Sequence, residues 1–321
     1  MNKKIIKRIA LILLHGLGFV LLFFVVRRLD FRMIAGYFSL FKAWKIGVGL
    51  CLLFVVYMIK TYRWLIINRK FSVEADYLSL LVFFLFSGFL STITPGRLGE
   101  FAKIWFIQKR YKAGITVSTS SVLLDRIWDV LALSLVGGIS LILIISKFTI
   151  QWYTVAIVLM IFLLALCVVL FPGIVFKPAL ALLRKNKVHG ELSHIYNIWK
   201  KNRYGFIIPG FSTSLVAVGL LAIIPVMFSS DLNATVQYGS SITAVSISNI
   251  LSFLPVTVAG FGTREFVFTR VWSMQSHPAE AAVTISTIYF IITYLGSMLL
   301  GGIAYLVSIR KIYSIKEIRY R

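Results

Sequence analysis

The chain has 321 residues, of which 59% are hydrophobic and only 14% charged, with a mean hydropathy of +0.89. That is too apolar for a soluble domain and points to an integral membrane protein. The formal net charge of +23, from 34 basic against 11 acidic residues, sits mainly between apolar runs, so cytoplasmic anchoring and attraction to anionic headgroups account for it better than nucleic acid does.

Taken in order, Met1-Asn2-Lys3-Lys4 and the apolar run 5–26 resemble a signal peptide in charge. The run is too long and lacks an Ala-x-Ala-like exit, so a retained helix is expected. A spanning helix needs about 20 apolar residues, and such runs are 5–26, 46–67, 117–146, 153–176, 205–228 and 281–307. Two further runs, 77–94 and 240–258, end at breaks and lead into shorter helical patterns, 98–107 and 263–274. Each of these pairs reads as a re-entrant hairpin, which a membrane tolerates where the tip is buried in protein or lines a wet cavity.

The first break is Thr94-Pro95-Gly96-Arg97-Leu98-Gly99-Glu100-Phe101. Thr94 followed by Pro95 predicts an N-cap and first helical residue, with free N–H groups and the positive dipole end aimed forward. The second break is Ala259-Gly260-Phe261-Gly262-Thr263-Arg264-Glu265-Phe266. Ser87, Leu90 and Ser91 match Ser248, Leu251 and Ser252 at one offset, and Glu100-Phe101 match Glu265-Phe266 at another.

Loop charges set the expected topology. Segment 177–204 carries Lys177, Arg184, Lys185, Lys187, Lys200, Lys201 and Arg203 against Glu191, and the tail 308–321 is also basic, so both are expected in the cytoplasm. Segment 229–239 carries only Asp231, as an outside loop would. Parity then requires the second hairpin to enter from outside and the first from the cytoplasm. The expected fold is an all-α polytopic membrane protein of eight hydrophobic segments: six spanning helices and two hairpins, as inverted repeats over about 5–146 and 153–307. One loop opposes this: Arg27, Arg28, Arg32, Lys42 and Lys45 against Asp30 would lie outside, unless an interfacial amphipathic segment at 33–41 holds them at the headgroups.

Four acidic residues fall within the membrane: Glu100, Asp125, Asp129 and Glu265. A charge near the bilayer centre costs roughly 2.5–3.5 kcal/mol on insertion scales, so such groups pair or face a cavity. Arg97, Glu100 and Lys103 would share one face of a helix begun at Pro95. At the second turn Gly260 and Gly262 allow tight geometry ahead of Thr263, Arg264 and Glu265. An arginine beside unpaired backbone N–H groups suits a phosphate; the alternative is that Arg97 with Glu100, and Arg264 with Glu265, merely neutralise each other. Asp125 and Asp129 are four apart, with Arg126 beside them, and could couple to a proton or cation, hold Arg97 and Lys103 across a cavity, or form a closed ionic network. Cys51 and Cys167, His15, and the loop residues His189, His194 and His277 show no metal-ligand spacing, and Gly260-x-Gly262 lacks the rest of a dinucleotide fingerprint. Gly137-Gly138, Gly296 and Gly301-Gly302 are expected to permit close helix packing. No nucleophile with its base and no phosphate-binding nucleotide loop is evident, so neither an enzyme activity nor a cofactor is expected.

With its two breaks and Leu124-Asp125-Arg126, and with Leu254-Pro255 ahead of the second break, the chain resembles the membrane domain of lysylphosphatidylglycerol synthases, including the multiple peptide resistance factors and their stand-alone flippase-like relatives. The resemblance covers about 5–307. It implies translocation of lipids with phosphate-containing heads, either aminoacylated phosphatidylglycerol or polyprenyl-phosphate-linked sugars. Two-domain members continue into a soluble aminoacyltransferase domain; this sequence stops at Arg321, so lysyl transfer is not expected of it. In the implied mechanism Arg97 and Arg264, with Gly96, Gly262, Thr263 and Lys103, hold a headgroup phosphate, while Glu100, Glu265, Asp125, Arg126 and Asp129 support them. The rival expectations are a non-transporting membrane partner of a lipid or envelope-glycan synthesis enzyme, and an ion-coupled small-solute transporter. The expected location is the plasma membrane with both termini cytoplasmic.

Overall fold

A computed structural model describes residues 31–145, 188–201, 203–232, 236–253, 260 and 262–306, with isolated positions 156, 160, 163 and 167. The apolar runs 5–26 and 153–176, His15, most of the basic loop, Phe261 and the tail lie outside these, apart from the isolated positions. The described residues form helices and turns without strands. They comprise α1 (Phe31–Leu40), α2 (Ala43–Lys70), α3 (Tyr77–Ile93), a 3₁₀ turn (Pro95–Phe101), α4 (Ala102–Tyr111), α5 (Ile115–Ile145), α6 (Val188–Lys201), α7 (Arg203–Ser229), a short 3₁₀ turn (Ser230–Leu232), α8 (Tyr238–Phe253), α9 (Thr263–Ser273) and α10 (Ala279–Leu306).

Three of these are long and apolar enough to cross a membrane: Ala43–Lys70, Tyr204–Leu232 and Ala279–Leu306. At 1.5 Å per residue, 28 residues reach about 42 Å, more than the roughly 30 Å hydrocarbon core. Their outer faces carry Val55, Met58, Ile208, Val216, Leu299 and Ile303, all exposed, as side chains meeting lipid would be. Predicted runs 46–67, 205–228 and 281–307 thus correspond to α2, α7 and α10, and 117–146 to the 31-residue α5. The segment expected to be amphipathic is helical as α1, whose Tyr37 and Phe38, with Phe41 just after it, pack against the core.

Two large clusters make up most of the described core. At one end Trp64, Phe84, Phe106, Trp128, Trp199 and Phe206 pack together from α2, α3, α4, α5, α6 and α7. At the other, Phe228, Phe268, Trp272, Ile285 and Tyr289 join α7, α9 and α10. Between them the described helices bury serine, threonine and charged side chains. Small residues let backbones approach closely there: a Cβ on Gly301 would stand 2.6 Å from the Leu85 carbonyl oxygen, and one on Gly137 3.0 Å from the Ser246 Cβ. Gly302, by contrast, faces open space.

Two ties fix the ends. Asp76 caps α3, accepting the Ser79 N–H at 2.8 Å, and also accepts the Tyr111 hydroxyl at 2.8 Å, so the starts of α3 and the end of α4 are joined. Burial pushes the Asp76 carboxyl up, but the hydrogen bonds from Ser79 and Tyr111 outweigh it and hold it below the usual carboxylate range. At the opposite end of α2, buried Lys45 donates to Met227 O (2.6 Å), Ser230 Oγ (2.8 Å) and Asp231 Oδ1 (2.8 Å). Lys45, counted among the basic residues that opposed the expected topology, is thus paired with the single acid of 229–239.

Candidate functional site

The first break does not start an α-helix at Pro95. Gly96 (φ 59°) and Arg97 (φ 55°) are both left-handed, and such residues cannot continue a right-handed helix. A 3₁₀ turn intervenes and the α-helix begins at Ala102. The Thr94 side chain makes no cap bond to the first turn; its hydroxyl accepts the Gly99 N–H, five residues on, at 2.7 Å while donating to Leu90 O at 2.9 Å. Gly99 is required by proximity, since a Cβ there would lie 2.2 Å from the Leu90 carbonyl carbon. The turn therefore folds back on the end of α3. Arg97 in the left-handed region costs on the order of 1–2 kcal/mol, a strain that tends to persist where a side chain has a task.

This geometry separates Arg97 from Glu100, so the expected shared helical face does not form. Arg97 Nη2 donates to Asn249 Oδ1 (3.2 Å, α8) and Tyr294 Oη (3.1 Å, α10). Its guanidinium lies over the rings of Phe253 (5.5 Å) and Tyr294 (5.4 Å). Among the described residues no carboxylate pairs with it. Glu100 instead pairs with Arg126, and its second contact is Lys103 at 3.5 Å.

Asp125 and Asp129 form the closed network rather than reaching Arg97. Their main partner, which sequence reading passed over, is Arg63 of α2, fully buried. Arg63 Nε donates to Asp125 Oδ1 (2.8 Å) and Nη1 to Asp129 Oδ1 (2.8 Å), with further bonds to Asp125 and to Ser214 Oγ. Lys60 donates to Asp129 Oδ2 at 3.0 Å and Lys103 to Asp125 Oδ2 at 2.8 Å. Lys103 also lies 3.7 Å from the Phe84 ring centre. A signal was present: Lys60 and Arg63 stand three apart inside the apolar run 46–67, the spacing that puts two side chains on one helical face.

At the second break Gly260 (φ 76°) and Gly262 (φ 87°) are also left-handed. Two of the N–H groups expected to be free at this helix start are engaged. The Glu265 carboxylate accepts the Gly262 N–H at 2.6 Å, and the Arg264 N–H bonds Gly260 O at 3.0 Å. Thr263 Oγ1 donates to Gly260 O at 3.0 Å. Arg264 is buried, bonded to Glu265 and to Ser286 Oγ (3.2 Å), with its guanidinium 6.0 Å from the Tyr294 ring centre. Both break arginines thus lie near the Tyr294 ring, and Tyr294 lies in a π-helical turn, Ile291–Leu295, of α10. Such turns often mark functional sites.

A cavity of about 80 Å³ lies between α2, α3, the first break, α5, α7, α8 and α10. Its polar wall is Tyr57, Lys60, Arg97, Arg126, Asn249 and Tyr289, with Glu100 and Tyr294. Of the residues expected to hold a ligand, Arg97 lines it; Gly96, Lys103, Gly262, Thr263 and Arg264 do not. Of those expected to support it, Glu100 and Arg126 reach the wall, while Asp125, Asp129 and Glu265 stand behind. Asn249 holds Tyr289 Oη at 3.0 Å, and Tyr57 donates to Ser297 Oγ at 2.8 Å. These α2, α8 and α10 polar groups were not singled out in the sequence, because nothing in their spacing along the chain shows that residues of three helices meet.

Comparison with known proteins follows the same lines. The sequence profile of the Lysylphosphatidylglycerol synthase TM region family matches residues 6–301. A UPF0104 membrane protein of Methanocaldococcus jannaschii is 20% identical over 234 residues, covering 70% of this chain and 96% of that protein. With its helices long enough to span a bilayer, its charged clusters buried between them and a family profile over nearly its whole length, this chain belongs to the Lysylphosphatidylglycerol synthase TM region family.

Proposed function

We propose that the protein translocates a phosphate-containing lipid between leaflets, without chemistry of its own. The observation that carries this reading is Arg97: an intramembrane arginine with no carboxylate partner among the described residues, in a strained backbone conformation, on the wall of a polar cavity. An uncompensated cation in that place is costly unless an anion meets it. At about 80 Å³ the cavity is well below the roughly 300–1,000 Å³ of ligand pockets, so on this reading its helices part to admit a headgroup. Saturation of Asp125 and Asp129 by Arg63, Lys60 and Lys103 weighs against their acting as a cation-coupling pair.

In this mechanism the two breaks are re-entrant tips, α3 with α4 and α8 with α9, from two inverted halves. Lys45 with Asp231 marks the outer end and the Asp76 to Tyr111 contact the cytoplasmic end, with the protein in the plasma membrane and both termini inside. Rocking of the halves around Arg97 would expose the cavity to each leaflet in turn. Arg264 acts from behind, its charge on Tyr294 rather than on the ligand. The test is transport of a fluorescent anionic phospholipid in reconstituted vesicles, read by bleaching from outside. Wild-type protein should raise the exchanged fraction and Arg97→Gln should return it to that of protein-free vesicles; undiminished transport by that variant rules the reading out.

A further inference from the structure

Resting on that reading, we infer that the headgroup taken by this site is a phosphate monoester, a dianion, in preference to a phosphodiester. The ionic cluster around the cavity holds five cations, Lys60, Arg63, Arg97, Lys103 and Arg126, against three carboxylates, Glu100, Asp125 and Asp129. The formal excess is two positive charges. Arg264 does not add to it, because its charge is matched by adjacent Glu265. All eight side chains are buried or half-buried, where surplus charge is not relieved by solvent and draws in a counter-charge.

A lipid phosphodiester brings one negative charge and leaves one cation unmatched. An aminoacylated head brings an ammonium as well, and leaves the whole excess. A monoester carries about −1.5 to −2 at pH 7, its second proton leaving near pH 6, and so closes the balance. It also offers a third terminal oxygen to donors. Among the described residues Arg97 Nε and Nη1 make no hydrogen bond, since its bonds to Asn249 and Tyr294 both run from Nη2. Tyr289 Oη accepts from Asn249, leaving its O–H free to donate. Lys60 and Arg126 stand on the same wall. A fork of guanidinium donors with flanking ammonium and phenol groups matches three phosphate oxygens.

The test titrates purified full-length protein in a zwitterionic detergent with dioctanoyl phosphatidic acid, dioctanoyl phosphatidylglycerol and inorganic phosphate, following binding by calorimetry. Phosphatidic acid should bind at least tenfold more tightly than phosphatidylglycerol at pH 7.5. That ratio should shrink at pH 5, where the monoester has become a monoanion. Arg97→Gln should abolish the preference, and Tyr289→Phe, which removes one hydroxyl, should reduce it while both variants elute as folded protein. Equal binding of the two lipids at pH 7.5 overturns the monoester inference and leaves lipid translocation standing. Binding of inorganic phosphate as tightly as phosphatidic acid shows a free-anion site and overturns the lipid assignment. Binding of none of the three overturns both.

Discussion

Asp125→Asn and Arg97→Gln shift the same buried charge balance in opposite directions, and their stabilities should diverge accordingly. Asp125 is fully buried and accepts from Arg63 Nε at 2.8 Å and Lys103 Nζ at 2.8 Å. Replacing it by the isosteric amide leaves Lys103 with only Glu100, at 3.5 Å, and raises the local excess from two charges to three. Breaking a buried pair in this way costs about 3–5 kcal/mol. Arg97→Gln lowers the excess to one, loses two hydrogen bonds to neutral partners and removes an unmatched cation. Bonds to a charged group contribute about 1.5–3 kcal/mol each, and relief of several kcal/mol of ion desolvation offsets them, so the net change should stay within about 1 kcal/mol. At about 2–4 °C per kcal/mol, thermal unfolding of the purified protein, followed by loss of the monodisperse gel-filtration peak, should fall by roughly 6–20 °C for Asp125→Asn and by no more than about 4 °C for Arg97→Gln. Equal losses in the two variants would refute the assignment of Asp125 as a structural counter-ion and Arg97 as a surplus charge.

Three further outcomes follow from the geometry. Gly99→Ala drives a Cβ to 2.2 Å from the Leu90 backbone and should cost about 1–3 kcal/mol, measured as a lower unfolding temperature, with transport impaired because the turn carrying Arg97 shifts. Asp76→Ala removes the cap on α3 and should cost about 1 kcal/mol. Because the folded Asp76 carboxyl lies below its unfolded value, its contribution is present above about pH 4 and is lost as the pH falls through the folded value. The stability gap between wild type and Asp76→Ala should therefore close on acidification, and a gap unchanged down to pH 3 would contradict it. For Lys45 and Asp231, both nearly enclosed and 2.8 Å apart, a double-mutant cycle to alanine should give a coupling above about 1 kcal/mol, beyond the 0.2–1 kcal/mol of exposed pairs.

The all-helical class, the spans at α2, α7 and α10, the long helix α5 and the two breaks were legible because lipid imposes a length and a polarity on whatever crosses it. Glycine beside a charge within an apolar run is a local signal, and it located both Arg97 and Arg264. The presence of ion pairs was also local knowledge, since charges at such depth must be met. Partner choice was not. Arg97 looked paired with Glu100 by helical spacing, yet two left-handed residues broke the register and sent Glu100 to Arg126 and Arg97 to α8 and α10. Arg63 meets Asp125 and Asp129 across more than sixty residues of chain, a distance at which spacing carries no information. The cavity likewise gathers polar residues from α2, α8 and α10 that no one stretch of sequence places together. Composition and periodicity determined that charges would be buried within helices; only the packing of those helices decided which charge went unmatched, because the balance belongs to a volume of space and not to any stretch of sequence.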